Sequence, residues 1–116
     1  MSFEDLDVWK RSARLSATLY QELGSLNNWG FRDQITRAGL SIPSNIAEGC
    51  ERDSGPEVAR FMTIAKGSCG EVITQIYVGI EAGFIDKEVG MSWVGEAKEI
   101  NAMLGALIKR HRARKN

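Results

Sequence analysis

His111 is the chain's only histidine, and Cys50 and Cys69 are its only cysteines, so acid–base and nucleophilic chemistry have few residues to draw on. A general base needs a nucleophile or an orienting carboxylate within reach. His111 sits instead in the run Lys109-Arg110-His111-Arg112-Ala113-Arg114-Lys115, with no acid close in sequence. Gly67-Ser68-Cys69-Gly70 has the look of a nucleophile turn, but such an elbow follows a strand. Its context here is helical, and the small residues read as a place of close helix packing. Helical bundles hold paired metals through Glu-x-x-His motifs, and the sequence has none. We expect no catalytic residue, no metal site and no cofactor.

The remaining chemistry is ionic. Fifteen Lys and Arg balance fifteen Asp and Glu. Five of the cations (Lys109, Arg110, Arg112, Arg114 and Lys115) crowd the C-terminus without an acid, leaving ten to face all fifteen acids, so a tail of +5 is set against a body of −5. Such a tail can neutralise nucleic-acid phosphates and release counterions. It can equally complement the negative pole of a helix end. A second group, Arg32, Arg37, Arg52, Arg60 and Lys66, alternates with acids and reads as a mixed, solvated face. Arg52, Arg60 and Lys66 join the tail as nucleic-acid-binding candidates, because several copies brought together in an oligomer would add their fields. Arg37 is expected to join Glu48 or Glu71 in a partly buried network. Glu48 and Arg52, spaced i,i+4, would give about 0.3 kcal/mol on a helix surface.

These side chains must be carried by helices. Apolar residues recur at steps of three and four: Leu6, Trp9, Ala13, Ser16, Tyr20 and Leu23, a stripe that Val8, Leu15 and Leu19 widen, then Ile35, Ala38, Ile42, Ile46 and Ala47. Val58, Met62, Ala65, Cys69, Val72 and Ile76 follow, then Val89, Trp93, Ala97, Ile100, Leu104 and Ile108. Four helices over about 5–23, 31–51, 55–83 and 87–111 follow from this spacing, with short turns between them. The fold expected is all-α: an antiparallel up-down four-helix bundle filling one domain, 1–116. Gly24 stands where a helix-terminating glycine belongs. Ser54, with Pro56 and Glu57 behind it, matches a capping box, and Asp86 can cap the last helix.

Pro43 lies in the middle of the second segment and removes a backbone donor. Either the helix continues with a kink there, or two short helices break before it. Gly39, four residues earlier, would relieve the proline's clash. Ser44 and Asn45 either bond backbone groups freed by Pro43 or form an exposed polar patch. Trp29 and Phe31, beside the first loop, are candidate oligomer-interface anchors, or they cap the bundle end. The N-terminus is acidic without an apolar core, so no secretory leader is expected. No run approaches the ~18 apolar residues of a membrane span, and two cysteines without CxxC spacing fit a reduced, cytoplasmic compartment.

Phe3-Glu-Asp-Leu-Asp-Val-Trp9, Gln34-Ile-Thr-Arg37-Ala38, Ser41-Ile-Pro-Ser-Asn-Ile-Ala-Glu-Gly49, Arg60-Phe61 and Ala65-Lys-Gly-Ser68 with Glu71 together form a specific pattern. It resembles the four-helix-bundle family encoded in intervening sequences of bacterial large-subunit ribosomal RNA genes. That family also includes accessory variability proteins of diversity-generating retroelements. The match covers most of residues 3–85 and marks Arg37, Pro43, Ser44, Asn45, Glu48, Gly49, Gly67, Ser68 and Glu71 as its structural motif. The resemblance implies a four-helix bundle in a homopentameric ring. It implies RNA or other nucleic acid as partner for the ribosomal branch and a reverse transcriptase for the retroelement branch. This chain departs from the pattern at Cys50, where an aromatic is common, and in its acidic body. The function expected is that of a non-enzymatic, homo-oligomeric bundle that binds nucleic acid through basic clusters. The alternative is a protein–protein scaffold or adaptor with no direct nucleic-acid role.

Overall fold

The computed structural model describes residues 2–114. Among them the chain forms a short 3-10 turn, Phe3–Asp5, and four α-helices: α1 Asp7–Leu23, α2 Trp29–Cys50, α3 Gly55–Glu81 and α4 Lys87–Ala113. No strand occurs among the described residues. Side-chain caps set three of the starts. Asn28 Oδ1 accepts from the Phe31 amide at 3.1 Å, Ser54 Oγ from Glu57 at 3.2 Å and Asp86 Oδ2 from Val89 at 3.1 Å. The Asn28 cap explains why α2 begins at Trp29, two residues before the expected start at 31.

Helices of 27 residues are about 40 Å long, so within extents of 47 × 21 × 19 Å they must lie along one axis. Each packs on its neighbour in the chain, and α1 also packs on α4. Contacts between α3 and α4 run in opposite order along the two helices. Gly55 meets His111 at one end, Cys69 Sγ donates to the Ala97 carbonyl in the middle, and Ile80 packs against Gly90 at the other. Leu19, Ile35, Ile42, Ile46, Met62, Ile76, Ile100 and Leu104 fill the centre.

Several local expectations change. The buried stripe of α1 is Val8, Ser12, Leu15, Ser16, Leu19 and Leu23; Ser12 is its unexpected member, and Tyr20, expected on it, is exposed. Ser12 can be buried because its hydroxyl donates to the Trp9 carbonyl at 3.1 Å, a device that hides a polar residue from an apolar-spacing count. Gly24 is right-handed at φ −62 and is no left-handed terminator. That role falls to Gly83, with φ 81, after α3. Pro43 sits inside α2 without ending it, so the two-helix alternative does not form. Gly39 serves a contact between helices: a Cβ there would stand 2.8 Å from Leu19 Cδ1 across the α1–α2 interface.

Candidate functional site

One end of the bundle gathers the N-terminal turn, the α2–α3 connection (residues 51–54) and the last turn of α4. Gly55 makes that meeting possible. A Cβ at this position would collide with the His111 carbonyl and lie 2.7 Å from Arg114 Cβ. With no side chain at 55, the end of α4 rests on the start of α3, joining its negative pole to a positive one.

A cavity of about 280 Å³ opens beside this contact. Buried Val58 and Met62, with half-buried Leu6, Leu107 and Cys50, form its inner wall. The exposed arginines Arg52, Arg110 and Arg114, with half-buried His111, form its outer wall. No carboxylate among the described residues lines it. The arginines are partly positioned. The Arg52 guanidinium lies 4.4 Å from the Phe61 ring centroid and pairs with Glu48 at 2.9 Å. Arg114 Nη1 is 2.9 Å from His111 Nδ1. Burial first, then the Arg114 and Arg110 charges, hold the imidazole below its ordinary pKa. His111 is therefore neutral at pH 7, and its Nδ1 accepts from Arg114.

The structure thus brings together Arg52, Arg110 and Arg114 out of two sequence groups and leaves the others elsewhere. Lys109 and Arg112 are exposed and do not line the cavity. Arg60 lies 5.1 Å from the Phe61 ring and 3.7 Å from Glu57. Lys66 is half-buried on α3 close to Gly105 of α4. Lys115 falls outside the described residues.

The motif residues separate into packing and surface roles. Gly49 stands at a close approach: its Cβ would be 3.1 Å from Phe61 Cβ. Asn45 Nδ2 donates to the Ser41 carbonyl at 2.8 Å and to Ser41 Oγ at 3.0 Å, and Ser41 Oγ meets Ser68 Oγ at 2.9 Å. Asn45 therefore does bond the backbone near Pro43, at Ser41 rather than at Gly39. Ser41, which joins α2 to α3, carried no apolar or charged signal to single it out. Pro43 and exposed Ser44 line a shallow apolar groove with Phe3, Trp9, Leu40 and Ala47.

The expected Arg37 network does not form. Arg37 and Glu71 are exposed and make no ion pair among the described residues, and Glu48 is taken by Arg52. The buried-edge ion pair is elsewhere. Arg11 forks onto Glu96 (2.5 and 2.9 Å) and reaches Glu99 at 2.8 Å, tying α1 to α4. The hydrogen bonds from Arg11 hold the Glu96 carboxyl below its usual range. Gly67 and Gly70 also differ from expectation, since a Cβ at either would meet nothing within 4 Å. They lie on the outward face of α3, with Ile64, Tyr77 and Val78 exposed on the same helix. Phe31 packs on Phe84, ring centroids 5.2 Å apart, at the end of the bundle. Trp29 is 67% exposed.

Neither thiol is activated. Burial pushes Cys69 up to about 11, and burial with the neighbouring Glu51 raises Cys50. No group of three or more His, Cys, Asp or Glu among the described residues could hold a metal ion. No helix among them is long and apolar enough to cross a membrane.

The family model described as 23S rRNA-intervening sequence protein matches residues 4–106. Arg52 lies inside that stretch, while Arg110, His111 and Arg114 lie beyond it. A similar solved structure is that of a protein with unknown function from the S23 ribosomal protein family of Bacteroides thetaiotaomicron. It shares 25% identity at a TM-score of 0.82, over 88% of this chain and 98% of that one. No curated protein matches the chain.

Proposed function

Since the chain belongs to the 23S rRNA-intervening sequence protein family, we propose that it is a non-enzymatic protein that binds RNA through the cationic end of its bundle. The observation that carries this reading is the convergence of Arg52, Arg110 and Arg114 on one cavity that no carboxylate among the described residues lines. Guanidinium groups are suited to phosphate because they are planar, permanently charged and weakly hydrated. Surrounding acids temper the field: Glu48, Glu51, Asp53 and Glu57 sit on the adjoining turn and helix ends. The attraction is therefore local to the cavity and its rim, and sequence-independent in kind.

Self-association is the second part of the proposal. Gly67 and Gly70, inside α3 and facing open space, cost about 1 kcal/mol each relative to alanine, and no contact among the described residues repays it. A close contact between the α3 faces of identical chains would, with Ile64, Tyr77 and Val78 becoming buried there. The homopentamer implied by the family resemblance is one closed form of such a contact. The protein is expected to be cytoplasmic, where ribosomal RNA is. A protein-adaptor role is favoured only by the same α3 face.

The test is the affinity for a single-stranded RNA, measured by fluorescence anisotropy across a salt series. Phosphate contacts give affinity that falls steeply as salt rises. Absence of binding, or binding indifferent to salt, would overturn the RNA reading.

A further inference from the structure

We propose that the cavity between α4's last turn and the start of α3 is a pocket for one unpaired nucleotide, with the base against the apolar wall and the phosphate on the arginines. The inference takes its ligand class from the RNA-binding reading and narrows it to a single residue of the strand. Three features of the site point the same way. The inner wall is apolar, from Val58, Met62 and Leu107, which suits the face of a nucleobase and gives a bare phosphate nothing. The outer wall offers Arg110 to a charged group, with Arg52 and Arg114 beside it, and no carboxylate among the described lining residues opposes it. The volume, about 280 Å³, lies near the small end of ligand clefts, which begin at roughly 300 Å³. One nucleotide is the scale of guest it admits; a duplex is not.

Pairing state follows from the same geometry. Bases inside an RNA helix are stacked and cannot turn a face to the Leu107 wall. Loops, bulges and strand ends can splay a base out, and such bases stack on aromatic or guanidinium planes. His111 adds a donor: with Nδ1 turned to Arg114, its proton sits on Nε2. The same nucleotide chemistry can come from the end or loop of an RNA strand or from a free mononucleotide.

The experiment compares adenosine 5′-monophosphate with inorganic phosphate by calorimetry. A labelled ten-nucleotide single-stranded RNA is followed in parallel by anisotropy. Laying one face of a base on this aliphatic wall removes apolar surface from water, so the nucleotide is expected to bind about tenfold tighter than phosphate. Cys50 lines the cavity while Cys69 is buried, so bound nucleotide should slow alkylation of Cys50 by N-ethylmaleimide. Leu107→Trp, which fills the pocket, should abolish nucleotide binding while the far-UV spectrum stays helical. If that variant fails to fold, Cys50 protection in the wild type decides. Phosphate binding as tightly as the nucleotide, or nucleotide binding that leaves Cys50 equally reactive, overturns the pocket. RNA binding with either of those results would leave the RNA reading standing and remove this inference. Nucleotide binding with protection, but no RNA binding, would do the reverse and assign the site to free nucleotides.

Discussion

Replacing Gly49 and Gly67 with alanine, one at a time, separates two uses of glycine in this bundle. Both lie inside helices, where alanine gains up to about 1 kcal/mol over glycine. At Gly49 the added carbon would stand 3.1 Å from Phe61 Cβ and 3.3 Å from the Val58 carbonyl oxygen. Neither atom can swing aside, since one begins a side chain and the other is backbone of α3. Crowding of that kind costs about 1–3 kcal/mol, so Gly49→Ala should range from neutral to about 2 kcal/mol less stable. At Gly67 nothing lies within 4 Å, so the gain of about 1 kcal/mol remains, worth about 4 °C in Tm for a chain of this size. Urea unfolding followed by far-UV circular dichroism, at a dilution that disperses any oligomer, reads both variants. Sedimentation at higher concentration should show Gly67→Ala associating less than the wild type. Equal stabilisation at the two positions would refute the packing argument, and a destabilising Gly67→Ala in the dilute protein would refute the openness of that face.

Other expectations follow from the ion pairs and aromatics. Arg11→Gln removes the fork onto Glu96 and should cost about 1 kcal/mol, because the pair is only partly shielded. The Glu96 carboxyl is depressed in the fold. Its stabilisation is present above the unfolded value, about 4.3, and fades as pH falls through the lower folded one. Wild type and Arg11→Gln should therefore converge in stability in strong acid. Phe31→Ala, which unpacks Phe84 and opens space over Gly79, should cost about 2–3 kcal/mol by thermal unfolding. Trp29→Ala should cost under about 0.5.

His111 is depressed too, facing Arg110 on its own helix, Arg114 just past the helix end, and Arg52 and Cys50 across the cavity. Its contribution to stability is full above about pH 6.5 and is lost as pH falls through the folded value. Bound phosphate favours the charged ring, so RNA affinity should rise between pH 7 and 5.5 and should not do so in His111→Gln.

The four helices were legible because their apolar spacing is long and regular, and because Ser54 and Asp86 mark starts with chemistry that structure repeats. What was hidden is relational. Ser12 reads as polar until its hydroxyl is seen bonding Trp9. Arg11 and Glu96 are 85 residues apart, and no local rule pairs them. The glycines look alike in sequence, yet Gly39, Gly49 and Gly55 admit a neighbour while Gly67 and Gly70 face outward. The basic tail was plain as composition. That Arg110 and Arg114 of it turn toward Arg52 depends on the bare backbone at Gly55, which carried no separate signal.

The most direct measurement compares two triple variants of equal charge in single-stranded RNA binding over a salt series. One neutralises Arg52, Arg110 and Arg114 with glutamine; the other neutralises Arg60, Lys109 and Arg112. The account predicts that the first loses most of its affinity and that its salt slope falls by about 2, at roughly 0.7 per phosphate contact, while the second changes little. Equal losses from both sets would contradict it, because charge alone, wherever placed, would then explain the binding.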